Sequence, residues 1–200
     1  MPFPSKTNQA MILAAAIEIV ERDGIESLSM REIARHLGLA TNALYHHFAG
    51  RDELEAEITA EGYRQLLATI RKAAHQNGGR GKGGAAGLTT LIRTSHAYLQ
   101  FARERPALYQ LMIRKHTPTP GLLSAREALH EFSRELYHWM KSPEIMDEAN
   151  FAFFAMLHGM ATLEREGLLE GELNRDPAFA ISSLFTGVSQ LSSRKKQAVK

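Results

Sequence analysis

The chain has 200 residues, of which 44% are hydrophobic and 23% charged, with a formal net charge of +2 and no cysteine. This composition excludes a disordered chain, disulfides and thiolate metal sites. The longest apolar run, residues 151–163, is too short to span a bilayer, and no signal peptide is evident. We therefore expect a cytoplasmic globular protein, without membrane association, that forms one large or two modest domains.

The first predicted helix runs from about Thr7 to Asp23. Gly24 follows its last apolar residue, at a position where glycine commonly ends a helix. The inward face is given by apolar residues at helical spacing: Ile12, Ala16, Ile19 and Val20.

A second, short helix is predicted to begin near Met30. Ser29 and Glu32 have the spacing of a capping box, in which the hydroxyl accepts a backbone N–H and the carboxylate reaches back. Gly38 is placed where a left-handed residue ends a helix. The helix is therefore barely two turns long.

A third short helix is predicted from about Thr41, carrying Leu44 and Phe48 back to the same core. Two short helices joined by a glycine-containing turn form the helix-turn-helix motif, which places its second helix in the DNA major groove. On spacing alone, an ordinary helical hairpin without a DNA role remains the alternative. The charge pattern favours DNA modestly, because residues 27–51 carry three arginines against one glutamate.

Residues 28–54 resemble the signature of the tetracycline-repressor (TetR) family of bacterial regulators. The specific part of the match is Ile33-Ala34, Gly38-Leu39, Leu44-Tyr45, His47-Phe48 and Leu54. The chain departs from the family pattern at Ala40 and Gly50, where members usually carry side chains that cap a helix. Since Ala40 has no side-chain oxygen, we expect Thr41 or Asn42 to cap the second helix of the motif.

The resemblance implies a homodimeric repressor that binds a palindromic operator in double-stranded DNA and is released by a small hydrophobic or aromatic effector. Side chains placed to meet base edges are Thr41, Asn42 and His46, since asparagine suits adenine and threonine offers a hydroxyl and a methyl. Side chains expected to hold phosphates are Arg31, Tyr45 and Arg51.

Helical periodicity continues beyond the motif. A long helix is predicted over residues 52–74, followed by a glycine-rich stretch at 76–87. No strand pattern precedes that stretch, so it is interpreted as a flexible linker and not as a phosphate-binding loop. Helices resume at Leu88 and at Pro106, and residues 118–121 are predicted to form a turn.

Three more helices are predicted over residues 122–140, 143–166 and 177–191. Ser142-Pro143 and Asp176-Pro177 each have the pattern of an N-cap followed by proline at the first helical position. No strand pattern appears anywhere, so the fold class is all-α with roughly nine helices.

These elements predict two domains and a tail. A three-helix DNA-binding domain is expected over residues 6–52, with the motif at about 29–48. A larger effector-binding and dimerisation domain is expected over residues 53–192, and a flexible tail over 193–200.

The last two helices are more apolar than a monomer surface accommodates. The resembled family dimerises through its two C-terminal helices, which implies a dimer interface there. Its expected members are Phe151, Met160, Leu163, Phe179, Leu184, Phe185 and Val188. Burial within one subunit remains the alternative for this pattern.

The resemblance also implies an effector cavity among the middle helices. Aromatic and soft side chains predicted near it are Tyr98, Phe101, Tyr109, Met112, Phe132, Trp139, Phe154 and His158. For each residue taken singly, plain core is the favoured alternative, so the set marks a region and not a list of contacts. His158 lies in a His-Gly pattern that resembles a subgroup of the family, and a hydrogen bond within the core is its alternative role.

Catalytic patterns are weak. Glu127 and Glu135 each precede a histidine by three residues, the spacing of di-iron bundles, but both pairs share one helix on a face opposite its apolar residues. No phosphate-binding loop, Ser-His-Asp arrangement or zinc-protease motif is present. We expect no catalytic residue, metal or cofactor. The alternative function is an all-α small-molecule-binding or scaffold protein that has lost sequence-specific DNA reading, which Ala40 and the weak charge pattern motivate.

Overall fold

The computed structural model describes residues 8–76, 84–137, 145–169 and 176–198, with side chains described as far as residue 192. Within these ranges the chain forms nine α-helices and no strand, so the predicted all-α class is confirmed. The helices are α1 Gln9–Asp23, α2 Met30–Leu37, α3 Thr41–Tyr45, α4 Arg51–His75, α5 Gly84–Glu104, α6 Pro106–Met112, α7 Pro120–Glu135, α8 Met146–Arg165 and α9 Pro177–Ala198. A single 3-10 turn, Ile25–Ser27, lies between α1 and α2. No helix in the described ranges is long and apolar enough to cross a membrane.

Packing divides the chain into two compact units. The first unit contains α1, α2, α3, α6 and the starts of α4 and α7, up to residues 65 and 127. The second unit contains α5, α8, α9 and the remainders of α4 and α7. These units do not follow the predicted boundary after residue 52, because α6 and the start of α7 pack with the N-terminal helices. The functional division at that boundary stays a prediction.

In the first unit, α1 packs against α2 and α6. The Asn8 side chain accepts a hydrogen bond from the N–H of Met11 at 2.9 Å and so caps α1, which begins at Gln9; the predicted start at Thr7 lies outside the described residues. Gly24 ends the helix with a φ of 84°. The core of this unit is made of fully buried side chains from all its helices, among them Ile12, Ile19, Ile33, Leu44, Phe48, Leu54, Ile58, Leu108 and Leu111.

The start of α7 differs from the prediction of a turn over residues 118–121. The Thr119 hydroxyl accepts a hydrogen bond from the N–H of Leu122 at 3.1 Å, so Thr119 acts as an N-cap. Pro120 is the first residue of the helix, a position that needs no N–H donor. The helix thus begins two residues before the predicted start at Leu122, and residues 120–121 of the predicted turn are helical. The helix ends at Glu135, and residues 138–140 of its predicted range lie outside the described residues.

In the second unit, α5 packs against α8 and α9. Its buried cluster contains Leu91, Tyr137, Ala149, Phe153, Ile181 and Val188. Burial raises the pKa of the Tyr137 phenol, whose ring lies 5.6 Å from that of Phe153. This cluster is formed by one chain, without a second subunit.

Three boundaries in the second unit refine the sequence predictions. Residues 84–87, expected in the linker, form the first turn of α5, whereas 77–83 lie outside the described residues. Asp176 accepts a hydrogen bond from the N–H of Ala178 at 2.8 Å, which confirms the predicted start of α9; Ser142-Pro143 lies outside the described residues. The α9 backbone continues to Ala198, beyond the predicted helix end at residue 191, and the flexibility of residues 193–200 stays a prediction.

Candidate functional site

The helix-turn-helix forms as the local signals predict. The Ser29 hydroxyl accepts a hydrogen bond from the N–H of Glu32 at 3.1 Å, which caps α2. Gly38 ends α2 in the left-handed region, with φ 66° and ψ 34°, and the N–H of Leu39 bonds to the carbonyl of Ala34 at 2.8 Å. Both features set the sharp turn that leads into α3.

The reciprocal half of the predicted capping box does not form in the described structure. The Glu32 carboxylate instead accepts hydrogen bonds from the guanidinium of Arg35, one turn further along α2. This hydrogen bond is the main reason that the pKa of Glu32 lies below its ordinary value. The pair engages Arg35 within α2, so Arg31 is the arginine of this helix that is left without a carboxylate partner among the described residues.

The recognition helix α3 is held by two buried anchors, Leu44 and Phe48, which are almost completely inaccessible to solvent. Its N-cap is Ala40, in extended conformation and without a side-chain hydrogen bond. The prediction that Thr41 or Asn42 caps this helix is wrong for the described structure, because neither side chain forms that bond. The first turn of α3 thus keeps backbone N–H groups that no side chain satisfies.

The residues predicted to meet base edges lie on the outer side of α3. Asn42 and His46 are exposed, four residues apart, and Thr41 is half-buried beside them. An amide, an imidazole and a hydroxyl all form hydrogen bonds of the kind that base edges offer in the major groove. Tyr45, one of the predicted phosphate contacts, is 51% exposed on the same short helix.

The two predicted phosphate-binding arginines differ in their surroundings. Arg31, in the first turn of α2, is exposed and has no partner among the described residues. Arg51 pairs with Glu55, with Nε and Oε1 2.6 Å apart, and its guanidinium also lies 3.5 Å from the carbonyl oxygen of Ile25. Arg51 therefore ties the start of α4 to the 3-10 turn, and a phosphate would have to compete with Glu55.

The predicted effector residues fall into three groups. Tyr98, Phe101 and Phe132 are buried in the second unit, whereas Tyr109 and Met112 are buried in the first. Phe154 is 47% exposed on α8 and stacks on His158, and the place of both in an effector cavity stays a prediction. Trp139 lies outside the described residues.

An open depression of about 580 Å³ lies in the first unit and contains none of the predicted effector residues. It brings together two carboxylates and two guanidiniums; its lining is Ala14, Ile17, Glu18, Glu21, Arg22, Gln65 and Arg105. Such a charged, open surface does not suit a hydrophobic effector.

The residues predicted for the dimer interface divide into exposed and core positions. Phe151, Leu163 and Phe179 are exposed, Phe151 and Phe179 by 70% and 81%. Val188 is buried in the core of the second unit, and Leu184 and Phe185 are partly buried against it, so their place in a dimer interface stays a prediction. Met160 is half-buried.

Two exposed apolar residues on the same helices were not predicted for the interface: Phe154, and Leu191 on α9. Each lies three residues after a predicted member, Phe151 and Val188, so helical spacing was the signal that could have found them.

Family models match most of the regions described above. The model for bacterial regulatory proteins of the tetR family matches residues 12–58, and a tetracyclin repressor-like C-terminal domain model matches residues 91–184. Together the two matches span more than half of the 200 residues.

The chain is also similar to individual proteins over nearly its whole length. It is 23% identical to the uncharacterized HTH-type transcriptional regulator YobS of Bacillus subtilis (strain 168), over 90% of this chain and 92% of that protein. A protein of unknown function from Rhodococcus sp. RHA1 has a TM-score of 0.70 and 24% identity, covering 97% of this chain and 98% of that one.

A TetR variant from Acinetobacter baumannii AYE, solved in complex with minocycline, has a TM-score of 0.66 and 18% identity, covering 94% of this chain and 99% of that one. The structural likeness shows the fold, and the two family models identify both parts of the chain. The chain therefore belongs to the TetR family and is a transcriptional regulator with a DNA-binding helix-turn-helix.

Proposed function

We propose that the protein is a homodimeric repressor that binds a palindromic operator and is released by a small hydrophobic or aromatic effector. The observation that carries the proposal is the outer side of α3, where Asn42 and His46 stand exposed above the buried anchors Leu44 and Phe48. The buried anchors hold α3 in place, and the exposed side chains offer hydrogen-bonding groups to solvent. This arrangement suits a helix that reads base edges.

A second copy of the chain is supported by the exposed aromatic residues of α8 and α9. Large aromatic side chains exposed by 70% and 81%, Phe151 and Phe179, are unfavourable in water unless a partner covers them. A two-fold dimer covers the same face on both copies. It also presents two recognition helices, which fit operator half-sites about 34–36 Å apart.

The effector is expected to act through α4. This helix runs unbroken from Arg51, beside the helix-turn-helix, to His75 in the second unit. We propose that effector binding tilts α4 and changes the spacing of the two recognition helices. The effector must then bind the released state more tightly than the operator-bound state. Equal effector affinity for free and operator-bound protein would contradict this mechanism.

Effector chemistry is proposed from the aromatic side chains of the second unit, Tyr98, Phe101 and Phe132. Buried aromatic rings suit an apolar or aromatic molecule. The relative from Acinetobacter baumannii, solved in complex with minocycline, is one case of a small molecule bound to a protein of this fold.

The experiment that tests the proposal is selection of random duplex DNA by the purified protein at low salt. The control is the variant Thr41→Ala/Asn42→Ala/His46→Ala, whose three changes lie outside the buried core. Enrichment of a palindrome by the wild type, abolished in a variant that remains folded by circular dichroism, is the expected result. Absence of enrichment would refute it and favour the alternative in which Ala40 marks a motif that no longer reads DNA.

A further inference from the structure

The loop between α6 and α7, residues 113–119, belongs to the same compact unit as the helix-turn-helix. Its sequence contains two cations, Arg114 and Lys115, and no carboxylate. Both side chains are exposed, and Lys115 has no partner among the described residues. The loop thus presents two exposed positive charges on the unit that contains the DNA-binding helix-turn-helix.

The loop is fixed to the neighbouring helices at its middle and at its C-terminal end. The Nε2 of His116 donates to the carbonyl of Leu111 at 2.7 Å and lies 3.1 Å from the hydroxyl of Thr59, a fully buried residue of α4. At the far end, the Thr119 hydroxyl donates to the carboxylate of Glu57, also on α4, at 2.6 Å. Because His116 and Thr119 are held in this way, the backbone of the loop loses little conformational entropy when its cations bind a ligand.

The loop lies beside the residues that lead into α2. The Arg114 guanidinium is 3.7 Å from the carboxylate of Glu26, which belongs to the 3-10 turn just before Ser29, the N-cap of α2. In a helix-turn-helix the first helix crosses the DNA backbone, and helix N-termini favour phosphate. Arg31, exposed in the first turn of α2, stands in the same region of the chain. The loop cations are therefore near the edge of the motif that meets phosphates.

We propose that Arg114 and Lys115 bind DNA phosphates just outside each operator half-site, as an extension of the helix-turn-helix interface. Glu26 does not prevent this, because an exposed ion pair is weak and Arg114 can exchange it for a phosphate. The inference rests on the proposed function, since it requires the DNA-bound dimer. The contacts of Arg114 and Lys115 add affinity for DNA without sequence preference, because phosphates do not differ between bases.

The test compares the wild type with the double variant Arg114→Ala/Lys115→Ala on the selected operator. The slope of log affinity against log salt falls by about 0.9 for each phosphate that a cation no longer neutralises. A dimer without these four cations should therefore have a slope less steep by roughly 3 to 4. The matched control is Arg64→Ala/Lys72→Ala, which removes the same charge from α4. Arg64 lies roughly 20 Å along the helix from Arg51, the first residue of α4, and Lys72 lies further away. We expect the control to keep the wild-type slope.

A second measurement locates the phosphates. Duplexes are shortened stepwise from both ends, outside the palindrome, and wild-type affinity is expected to fall when the flanking phosphates are removed. The loop variant should bind the long and short duplexes equally. If the wild type binds the operator but the loop variant keeps its slope, the inference is overturned and the proposed function stands. If the wild type binds no duplex, both fail.

Discussion

The ring of Phe154 stacks on the imidazole of His158 along α8, with centroids 6.1 Å apart and planes inclined by only 8°. The two residues are one helical turn apart, and Phe154 is 47% exposed. A flat aromatic pair at a surface, with Phe151 and Leu163 exposed on the same helix, is unfavourable in contact with water alone. We therefore expect this side of α8 to be covered by a second copy of the chain.

Replacement of Phe179 by aspartate should turn the proposed dimer into a monomer. Phe179 contributes little to the fold of its own chain, being 81% exposed, so the effect should appear in assembly and not in folding. A charge placed in an apolar interface has no partner and costs several kcal/mol of association, on the order of 2–5. Sedimentation velocity measures the change. Leu123→Asp, which alters an exposed apolar residue on α7, is the control and should leave the assembly unchanged.

Local signals predicted the fold well because they depend on a few neighbouring residues. Ser29, Gly38 and Asp176 act through hydrogen bonds or backbone angles within one turn, and the structure confirms all three. Pro120 shows the limit of such signals. A proline can follow a helix or begin one, and here the cap by Thr119 decides in favour of a start.

Which side chains are buried or paired depends on tertiary packing, and the sequence alone could not predict it. Val188 has the same apolar character as Phe179, yet packing of α9 against α5 buries Val188 and leaves Phe179 exposed. Arg51 suits a phosphate by charge, but Glu55 one turn later pairs with it. The spacing of these residues shows that they share a helix face, but not which face a neighbouring helix covers.

Replacement of Ala40 by serine should stabilise the protein. Ala40 is an exposed N-cap in extended conformation, with φ −72° and ψ 139°, and makes no side-chain hydrogen bond. A serine hydroxyl there can accept an N–H of the first turn of α3, a gain of about 0.5–2 kcal/mol. Urea unfolding measures the free energy. The same change at Ala68, exposed within α4, should cost about 0.5 kcal/mol because serine is the poorer helix former. Equal effects at both positions would argue against a capping role.

Because of the ion pair of Glu32 and Arg35, we expect the folded state to lose part of its stability in acid. Because Arg35 lowers the pKa of Glu32 from its ordinary 4.5, the pair stabilises the folded state at neutral pH. A lowered folded-state pKa means that this stability is present above the unfolded pKa and is lost as pH falls through the folded value. The advantage of wild type over Glu32→Gln should therefore shrink below about pH 4.5.

Urea unfolding at a series of pH values from neutral to acidic tests this dependence. The effect should be small and weakened by salt, since both side chains lie at the surface. Glu127→Gln changes an exposed carboxylate that has no partner among the described residues and is the control. A wild-type advantage over Glu32→Gln that stays constant with pH would show that the pair does not stabilise the fold.

Gly121, the second residue of α7, lies against the carboxylate of Glu57. A Cβ at this position would lie 2.5 and 2.6 Å from the two carboxylate oxygens of Glu57, closer than real contacts allow. Alanine would displace the carboxylate and break its hydrogen bond with Thr119. Because the carboxylate is the end of a flexible side chain that can move aside, the main loss is this hydrogen bond, and we expect Gly121→Ala to lower the free energy of unfolding by about 1 kcal/mol or less.

The sign should reverse when Glu57 is first shortened to alanine. In that background the space beside Gly121 is empty, and alanine is favoured over glycine within a helix by about 0.5–1 kcal/mol. Urea unfolding of the four proteins in the double-mutant cycle measures the coupling energy, which is the difference between the effects of Gly121→Ala in the two backgrounds. Because the two effects have opposite signs, the coupling energy should be larger than the effect of Gly121→Ala in either background. If Gly121→Ala destabilised both backgrounds equally, the glycine would be needed for the backbone of α7 and not for the carboxylate of Glu57.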